Sequence, residues 1–585
     1  MKKVIVAIDF GTSGTTYAFS FLDSKDDIIL GKWNETPDAK NSTEIVLNDK
    51  FEIKKFGIEC KKFFLEDKSS EEKYYHFSDI KMKLYENKNK ITATNENITL
   101  DIDLIISKIL QYIKQEAINH IKTNRPSIKE SEIEWKVTIP AIWKNNSKEI
   151  MLNASKKAGI FNENENNQSL FFSLEPEAAA CDYVNENSSD KNAIKPGNSY
   201  IVCDIGGGTI DISTHIRRNN NGQIYIEELY PPKGGNCGST YINKSFWERV
   251  ITKLFGKDAI EKLKKIINDP QQNENIYEDY CELLDDIEEF KKDISFDSQG
   301  NSKRINCSFF EELINEEISS LIRQYNDNYN SDWKINKNNG LRIYFPYQIM
   351  IDLTKEIIVD NTVKHINKIL KNIPDIKSII YAGSVSNNVY IFSMIKEEIK
   401  KTYPKLEHYR STFPSTSIVK GAVIFGYNPF IIKSRISKYT IGVKCNEDWD
   451  QSIHGKRPEL KFFDENEKKF YCRKIFTPII HQKEKIGVDE KKKQYFLLRG
   501  GTSSITFYKT KFKNVKFIDE TYLYMNIRRN KCIELFETLY DIEDIYDEKD
   551  RNLIIELQLG GTFVYGNIIY KGISKPVEFH FLKGN

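Results

Sequence analysis

Val202-Cys203-Asp204-Ile205-Gly206-Gly207-Gly208-Thr209-Ile210-Asp211 is the stretch on which the fold of this chain turns. The apolar run Ser199–Cys203 before it reads as a buried strand that delivers Asp204 to its C-terminal edge and then reverses. Glycine has no Cβ, so the N–H groups of Gly206, Gly207 and Gly208 can approach an anion closely. Thr209 adds a hydroxyl, and the carboxylates of Asp204 and Asp211 are suited to Mg²⁺, directly or through water. Taken alone, a run of this kind can also be an ordinary glycine-rich hairpin.

A second copy argues against that plain interpretation. At the N-terminus Val4-Ile5-Val6-Ala7-Ile8 leads into Asp9-Phe10-Gly11-Thr12-Ser13-Gly14-Thr15-Thr16, again strand, aspartate, glycines and hydroxyls. Asp9 precedes Asp204 by 195 residues (204 − 9). Two such turns predict a duplicated α/β unit with one phosphate turn per half, clamping one nucleotide between two lobes. Neither GxxxxGK[ST] nor a helix-opening GxGxxG occurs, so P-loop and Rossmann arrangements have no support.

Around these turns the chain resembles the actin-like ATPase superfamily (ribonuclease H-like fold), and within it the heat shock protein 70 branch. The resemblance rests on Val137–Trp143, Ser155–Ile160, Leu174-Glu175-Pro176-Glu177-Ala178-Ala179-Ala180, Ile379–Ser384 and Val419–Val423, five signals in the family's order. The long loop Asp9–Thr16 and the cluster Lys81-Met82-Lys83-Leu84 are more similar to the divergent member-12-like branch. The fold it implies is a two-lobed ATPase domain followed by a β-rich C-terminal domain. Lobe I would span residues 1–198, lobe II 199–430, and the β-rich domain 431–585.

Composition sets bounds on this. A chain of 585 residues exceeds one core and should hold about two to four domains. Its 86 basic and 84 acidic residues leave a net charge of +2, which implies no nucleic-acid partner. Nine cysteines without a CxxC pair fit a reduced, cytoplasmic setting without disulfides. No apolar run reaches membrane-spanning length, and Asp9 interrupts the N-terminal one, which reads as strand rather than signal peptide.

Further along, the periodicity of Ile102, Ile105, Ile106, Ile109, Ile113, Ala117 and Ile121 predicts a helix over 101–122 with one buried stripe. Residues 135–139 read as strand, 148–158 as helix, 243–293 as helix-rich and 346–372 as helical. The Asn- and Asp-dense stretch Tyr325–Gly340 reads as an exposed loop. After Pro429 short alternating segments take over, and residues 446–496 read as loops with some strand. In Leu553–Leu559 the odd positions are uniformly apolar, as a half-buried strand requires. The acidic-leucine linker of the chaperones is not visible in Phe430–Lys438. The chain ends soon after its last predicted strand, without a segment for a helical lid.

The resemblance assigns roles residue by residue. Asp9, Glu175 and Asp204 would surround the attacking water and Mg²⁺, with Asp9 and Asp204 holding the ion through water. Asp211 would orient metal-bound waters or the second turn. Gly11, Thr12, Ser13 and Gly14 would wrap the phosphates from one side, and Gly206, Gly207, Gly208 and Thr209 from the other. Lys81 is the candidate for the phosphate-facing lysine, with Lys83 as competitor. Glu288, Lys291, Lys292 and Ser295 fall on one face of a helix and would hold the nucleoside: Glu288 at the ribose, the Lys292 stem on the adenine, Ser295 at the ring edge. An ordinary Glu–Lys surface pair has the same spacing. Gly383 and Ser384 would close the base pocket from beneath.

The implied activity is Mg²⁺-dependent, slow ATP hydrolysis, with ATP and ADP as ligands. Lobe closure would change how residues 431–585 meet a protein client, partner or co-chaperone. A nucleotide-gated adaptor with little hydrolysis and an actin-fold sugar or metabolite kinase are the alternatives.

Overall fold

The computed structural model describes residues 2–34, 36–66, 72–162, 171–186, 194–314, 316–329, 331, 333–336, 342–465, 467–497, 504–524, 527–539, 551–558 and 565–578. The chain is mixed α/β and divides into two units. The first comprises residues 1–167, 171–214 and 232–429, and the second 168–170, 215–231 and 430–585.

Two sheets organise the first unit. In one the strands lie in the order Phe172–Leu174, Ile133–Ile139, Val4–Asp9, Thr16–Phe21, Ser24–Leu30. Val4–Asp9 runs parallel to Ile133–Ile139 and antiparallel to Thr16–Phe21, with Asp9 opposite Thr16. In the other, as far as it lies in this unit, Glu407–Arg410, Ile376–Ala382, Ser199–Ile205 and the start of Ile210–Asn220, up to Thr214, lie side by side in that order. Ser199–Ile205 runs parallel to Ile376–Ala382, and Asp204 lies opposite Ala382. Each sheet therefore places parallel strands on one side of its central Asp-ending strand and a hairpin on the other. Val4–Asp9 and Ser199–Ile205 are buried along their whole length, the burial expected of a central strand covered on both faces.

The predicted amphipathic helix is present as Ile102–Asn124, with Ile102, Ile105, Ile106, Ile109, Ile113, Ala117 and Ile121 all buried. The segment 346–372 is helical from Tyr347 to Leu370, passing through a π-turn at Lys355–Val359. Tyr325–Gly340 differs from the expected loop. A helix continues to Tyr329, and Lys334–Asn336 is a strand, while residues 337–340 fall outside the described part. The polar composition hid an aromatic anchor: Trp333 is buried, stacks on Tyr325 at 4.2 Å and packs edge-on against Phe345.

The second unit is β-rich. Five strands order as Lys461–Asp464, Lys469–Ile480, Thr440–Asp448, Ser504–Thr510, Cys532–Leu539. Four more order as Lys491–Leu497, Asn552–Gln558, Tyr565–Tyr570, Ile573–Glu578. Ile441, Val443, Ile480 and Phe507 from the first sheet share one core with Leu553, Ile555, Leu557, Ile568 and Tyr570 from the second. The odd positions from Leu553 to Leu557 thus face inward as their alternation predicts; Leu559 lies outside the described residues. Residues 446–496 are more regular than expected, because Lys469–Ile480 forms a long strand across from Thr440–Asp448. The segment Phe430–Lys438 is no free connector: Ile432–Ile436 is a strand with Ile432 opposite Ile226, and Glu228 Oε2 accepts the Ile436 N–H at 2.7 Å.

Candidate functional site

Both Asp-glycine turns belong to the first unit, and they meet. A Cβ on Gly207 would stand 2.7 Å from Ser13 Oγ, and one on Gly208 2.5 Å from Thr12 Oγ1 and 2.3 Å from Met82 Sδ. The backbone of the second turn therefore lies directly against the hydroxyls of the first, and no side chain fits between them.

The second turn is held from behind. Gly206 N–H donates to Thr209 O at 2.9 Å and closes the reversal. The carbonyls of Gly206, Gly207 and Gly208 then accept from the backbone N–H of Ser239 (3.2 Å), Thr240 (2.8 Å) and Gly238 (3.1 Å). In a planar trans peptide the next N–H points opposite to the carbonyl. The N–H groups of Gly207, Gly208 and Thr209 are thus turned away from Gly238–Thr240, an array suited to phosphate oxygens. Gly238 is indispensable here, since a Cβ on it would come within 2.3 Å of Gly207 O.

The first turn is braced by the segment after it. Thr15 and Asn41 exchange backbone hydrogen bonds of 2.8 and 2.9 Å, and Thr43 Oγ1 donates to Gly11 O at 2.8 Å. The chain reversal packs Gly11 so closely that a Cβ would stand 2.1 Å from Gly14 O. This bracing brings Lys40 to the site, where its Nζ donates to Asp9 Oδ2 at 3.1 Å. Thr138 Oγ1, on the neighbouring parallel strand, donates to Asp9 Oδ1 at 2.8 Å.

Lys81 and Glu175 complete the cluster. Lys81 lies on the short helix Ile80–Tyr85, and Glu175 opens the helix Glu175–Glu186 straight after the strand Phe172–Leu174. Both are buried, and Lys81 Nζ donates to Glu175 Oε1 at 2.6 Å. It is Lys81, not Lys83, that makes this pair. Asp211 is fully buried on the strand after the second turn and takes a 3.5 Å contact from the Ile142 N–H.

The carboxyls respond to one another. Burial would raise Asp9, but Lys40, Lys81 and the Thr138 hydrogen bond outweigh it and hold the group below its ordinary value. Burial pushes Asp204 well up, reinforced by Glu175 and Asp9 against the pull of Lys81 and Lys40. Asp211 is likewise raised by burial, with Glu175 and Asp204 adding to it. Glu175 is raised by burial and by Asp9, though Lys81 opposes both. Lys81 stays charged, because Glu175, Asp9 and Asp204 together overcome the cost of burying it.

Four buried carboxyls thus face two ammonium groups, and ionising all four without a further cation would be costly in a dry interior. Asp204 Oδ1 and Asp211 Oδ1 have no hydrogen-bond partner among the described residues. Orphaned carboxylate oxygens, surplus negative charge and facing N–H groups fit a divalent cation bound together with phosphates. No three His, Cys, Asp or Glu side chains converge as a direct ligand set among the described residues, so the residues fit an ion held largely through water.

The expected nucleoside residues are only partly as drawn. The helix Glu274–Lys292 carries Glu288, Lys291 and Lys292, but ends there. Ser295 lies beyond it, opening the 3-10 turn Phe296–Ser298, so it does not share their helix face. Lys291 is buried and bonds Glu288 at 2.5 Å, and Asn243 Nδ2 donates to Glu288 at 2.7 Å. Lys292 is the exposed one, with Nζ 3.4 Å from Glu288. Gly383 is closer to the carboxylates than expected. At φ 83° it occupies the left-handed region, and a Cβ there would stand 2.2 Å from Asp204 Oδ1. Ser384 opens the 3-10 turn Ser384–Asn387 after it. The turn ends at Asn388, whose Nδ2 donates to the carbonyls of Lys292 (3.2 Å) and Ile294 (2.8 Å).

Lys40, Thr138, Gly238 and Asn388 are therefore part of the site although their sequence surroundings assign them no role. Thr138 lies within the signal Val137–Trp143 and Gly238 within the glycine-rich stretch Gly234–Tyr241, whereas nothing local singles out Lys40 or Asn388.

No protein-family model matches the chain. It is 24% identical to human heat shock 70 kDa protein 12A over 98% of this chain and 90% of that protein. Human heat shock 70 kDa protein 12B matches at 22% identity over 83% of this chain and 77% of its own length. A chaperone protein HscA homolog from Rickettsia felis is 29% identical over 36% of this chain and 30% of its own length. No helix among the described residues is long and apolar enough to cross a membrane. Over most of its length the chain is similar to the 12A and 12B proteins, which supports a place in the divergent member-12-like branch of the heat shock protein 70 family.

Proposed function

We propose that this protein binds ATP and ADP with Mg²⁺ in a clamp formed by the two Asp-glycine turns and hydrolyses ATP slowly. Residues 1–198 and 199–430 act as its two lobes, and residues 431–585 meet a protein partner. The observation that carries the proposal is the contact of Gly207 and Gly208 with Ser13 and Thr12, beside the buried charge cluster of Asp9, Lys81, Glu175 and Asp204. The matching strand orders of the two sheets support the two-lobe duplication, and the heat-shock-70 relatives support nucleotide as the ligand.

Within such a clamp the N–H groups of Gly207, Gly208 and Thr209 and the hydroxyls of Thr12 and Ser13 grip phosphate oxygens. Asp9 and Asp204 hold the hydration shell of the ion, and Asp211 orients it. Charge neutralisation on the phosphates is what magnesium supplies there. Lys81, kept charged, faces the terminal phosphate. Glu175 orients the attacking water and receives its proton at Oε1 once Lys81 Nζ has shifted toward phosphate. Gly383 admits the Asp204 carboxylate where any side chain would displace it.

Lys81 Nζ rests 2.6 Å from the very oxygen that would take that proton. This favours low turnover, and so a switch rather than a fast enzyme. Calorimetry with ATP, ADP and GTP, with and without Mg²⁺, tests binding, and single-turnover hydrolysis tests chemistry. Asp204→Ala and Glu175→Ala should each lower turnover by about 10²–10⁴-fold while nucleotide still binds. Unchanged hydrolysis in both variants removes those two roles, and a chain that binds no nucleotide removes the clamp.

A further inference from the structure

We propose that Phe296 is the residue on which the purine base stacks, a role that rests on the nucleotide-binding function argued above. Phe296 is 61% exposed on a well-braced turn, so one face of its ring is open to a ligand. It directly follows Ser295, a few residues beyond the end of the helix carrying Glu288 and Lys292.

Three contacts place and stiffen it. The turn Phe296–Ser298 is locked by Ser298 Oγ, which accepts the Ser295 N–H at 2.9 Å. Asn388 Nδ2 donates to Lys292 O and Ile294 O, tying this turn to the segment that starts at Gly383. The Tyr390 ring packs edge-to-face against Phe296, with centroids 5.1 Å apart and planes at 84°. Gly383 touches the Asp204 carboxylate, and the 3-10 turn Ser384–Asn387 then carries the chain away from the phosphate end toward Phe296. Four residues of 3-10 helix cover about 8 Å. A nucleotide whose phosphates lie at Asp204 would follow that path and bring its base to the turn.

The neighbouring side chains are poor alternatives for stacking. Lys291 is buried against Glu288, and Lys292 keeps its Nζ within reach of the same carboxylate. An aromatic face held rigid before the ligand arrives binds a base without paying to order itself. Such stacking tolerates any purine, so Phe296 would set affinity for the nucleoside rather than discriminate adenine from guanine.

The test compares full-length wild type, Phe296→Ala and Phe296→Trp in equilibrium binding of ATP, ADP and inorganic tripolyphosphate, with thermal unfolding measured alongside. Truncation should weaken ATP and ADP by about 10-fold and leave tripolyphosphate unchanged. Phe296→Trp should retain affinity, and its added emission should be quenched by ATP and not by tripolyphosphate. Equal ATP affinity in wild type and Phe296→Ala overturns the proposal, as does an equal loss for ATP and tripolyphosphate. Wild-type protein that binds tripolyphosphate but gains nothing from the nucleoside also overturns it. Wild type that binds none of the three instead removes the nucleotide-binding function on which the proposal stands.

Discussion

Replacing Gly238 by alanine should loosen the second phosphate turn without removing any group that meets a ligand. The added Cβ would stand 2.3 Å from Gly207 O, 2.4 Å from Gly207 C and 2.5 Å from Gly208 C, all of them backbone atoms. Carbon contacts are comfortable near 3.5 Å, so the turn must retreat by about 1 Å. That movement strains three hydrogen bonds from Gly238, Ser239 and Thr240, each worth about 0.5–1.5 kcal/mol. Overpacking of this kind costs about 1–3 kcal/mol. If about 1.4–2.8 kcal/mol of this appears in the binding step, nucleotide affinity falls by about 10–100-fold. Gly235→Ala is the matched control. Its Cβ would find nothing nearer than 3.6 Å, at Cys237 Sγ and His365 Nε2. Calorimetric titration of ATP into both variants, with unfolding temperatures in parallel, decides the matter. Wild-type affinity in Gly238→Ala, or an equal loss in Gly235→Ala, would refute the claim that Gly238 supports the turn.

Asp182, buried in the helix that Glu175 opens, is pushed up to about 8 by burial and by Glu186, against the pull of Lys420. Its folded value lies above its unfolded one, so the native state binds the extra proton and stability declines as pH rises from about 4 to about 8. Asp182→Asn should remove its share of that decline and stabilise the protein at pH 8 by several kcal/mol in order of magnitude, read from urea midpoints at pH 5 and pH 8. A parallel pH dependence in the variant would show that Asp182 does not titrate there. Lys81→Met leaves Glu175 buried without its ion-pair partner and should cost about 3–5 kcal/mol in chemical denaturation. The double variant Lys81→Met/Glu175→Met should recover much of that loss, whereas additive effects would deny the coupling. Gly421→Ala would set a Cβ 1.7 Å from Ala178 O, where the helix Ser417–Tyr427 crosses Glu175–Glu186. We expect a loss of at least about 1–3 kcal/mol in thermal or urea unfolding, and a fully stable variant would contradict the close helix approach.

Local pattern was enough to announce the strands before Asp9 and Asp204, the turns after them and the apolar stripe of Ile102–Asn124. Those features repeat with the period of the backbone, and glycine marks places where the chain has no room for a Cβ. Glu175 and Lys81 could be named from motifs, but no motif encodes that their side chains meet. The strand content of 469–480 was obscured because its burial pairs with Thr440–Asp448 rather than following strict alternation. Trp333 shows the same effect: a single buried aromatic ordered a stretch whose composition reads as loop.

What sequence alone determined is the inventory: two Asp-glycine turns, one carboxylate ahead of a proline, one cluster offering Lys81 or Lys83. Tertiary structure decided which of these act together, and it recruited Thr138 and Gly238 from stretches that assign them no role, and Lys40 and Asn388 from surroundings that carry little that is distinctive. The physical reason is range. Backbone periodicity and turn chemistry are properties of a few consecutive residues, whereas charge balance and close backbone approach depend on neighbours separated by hundreds.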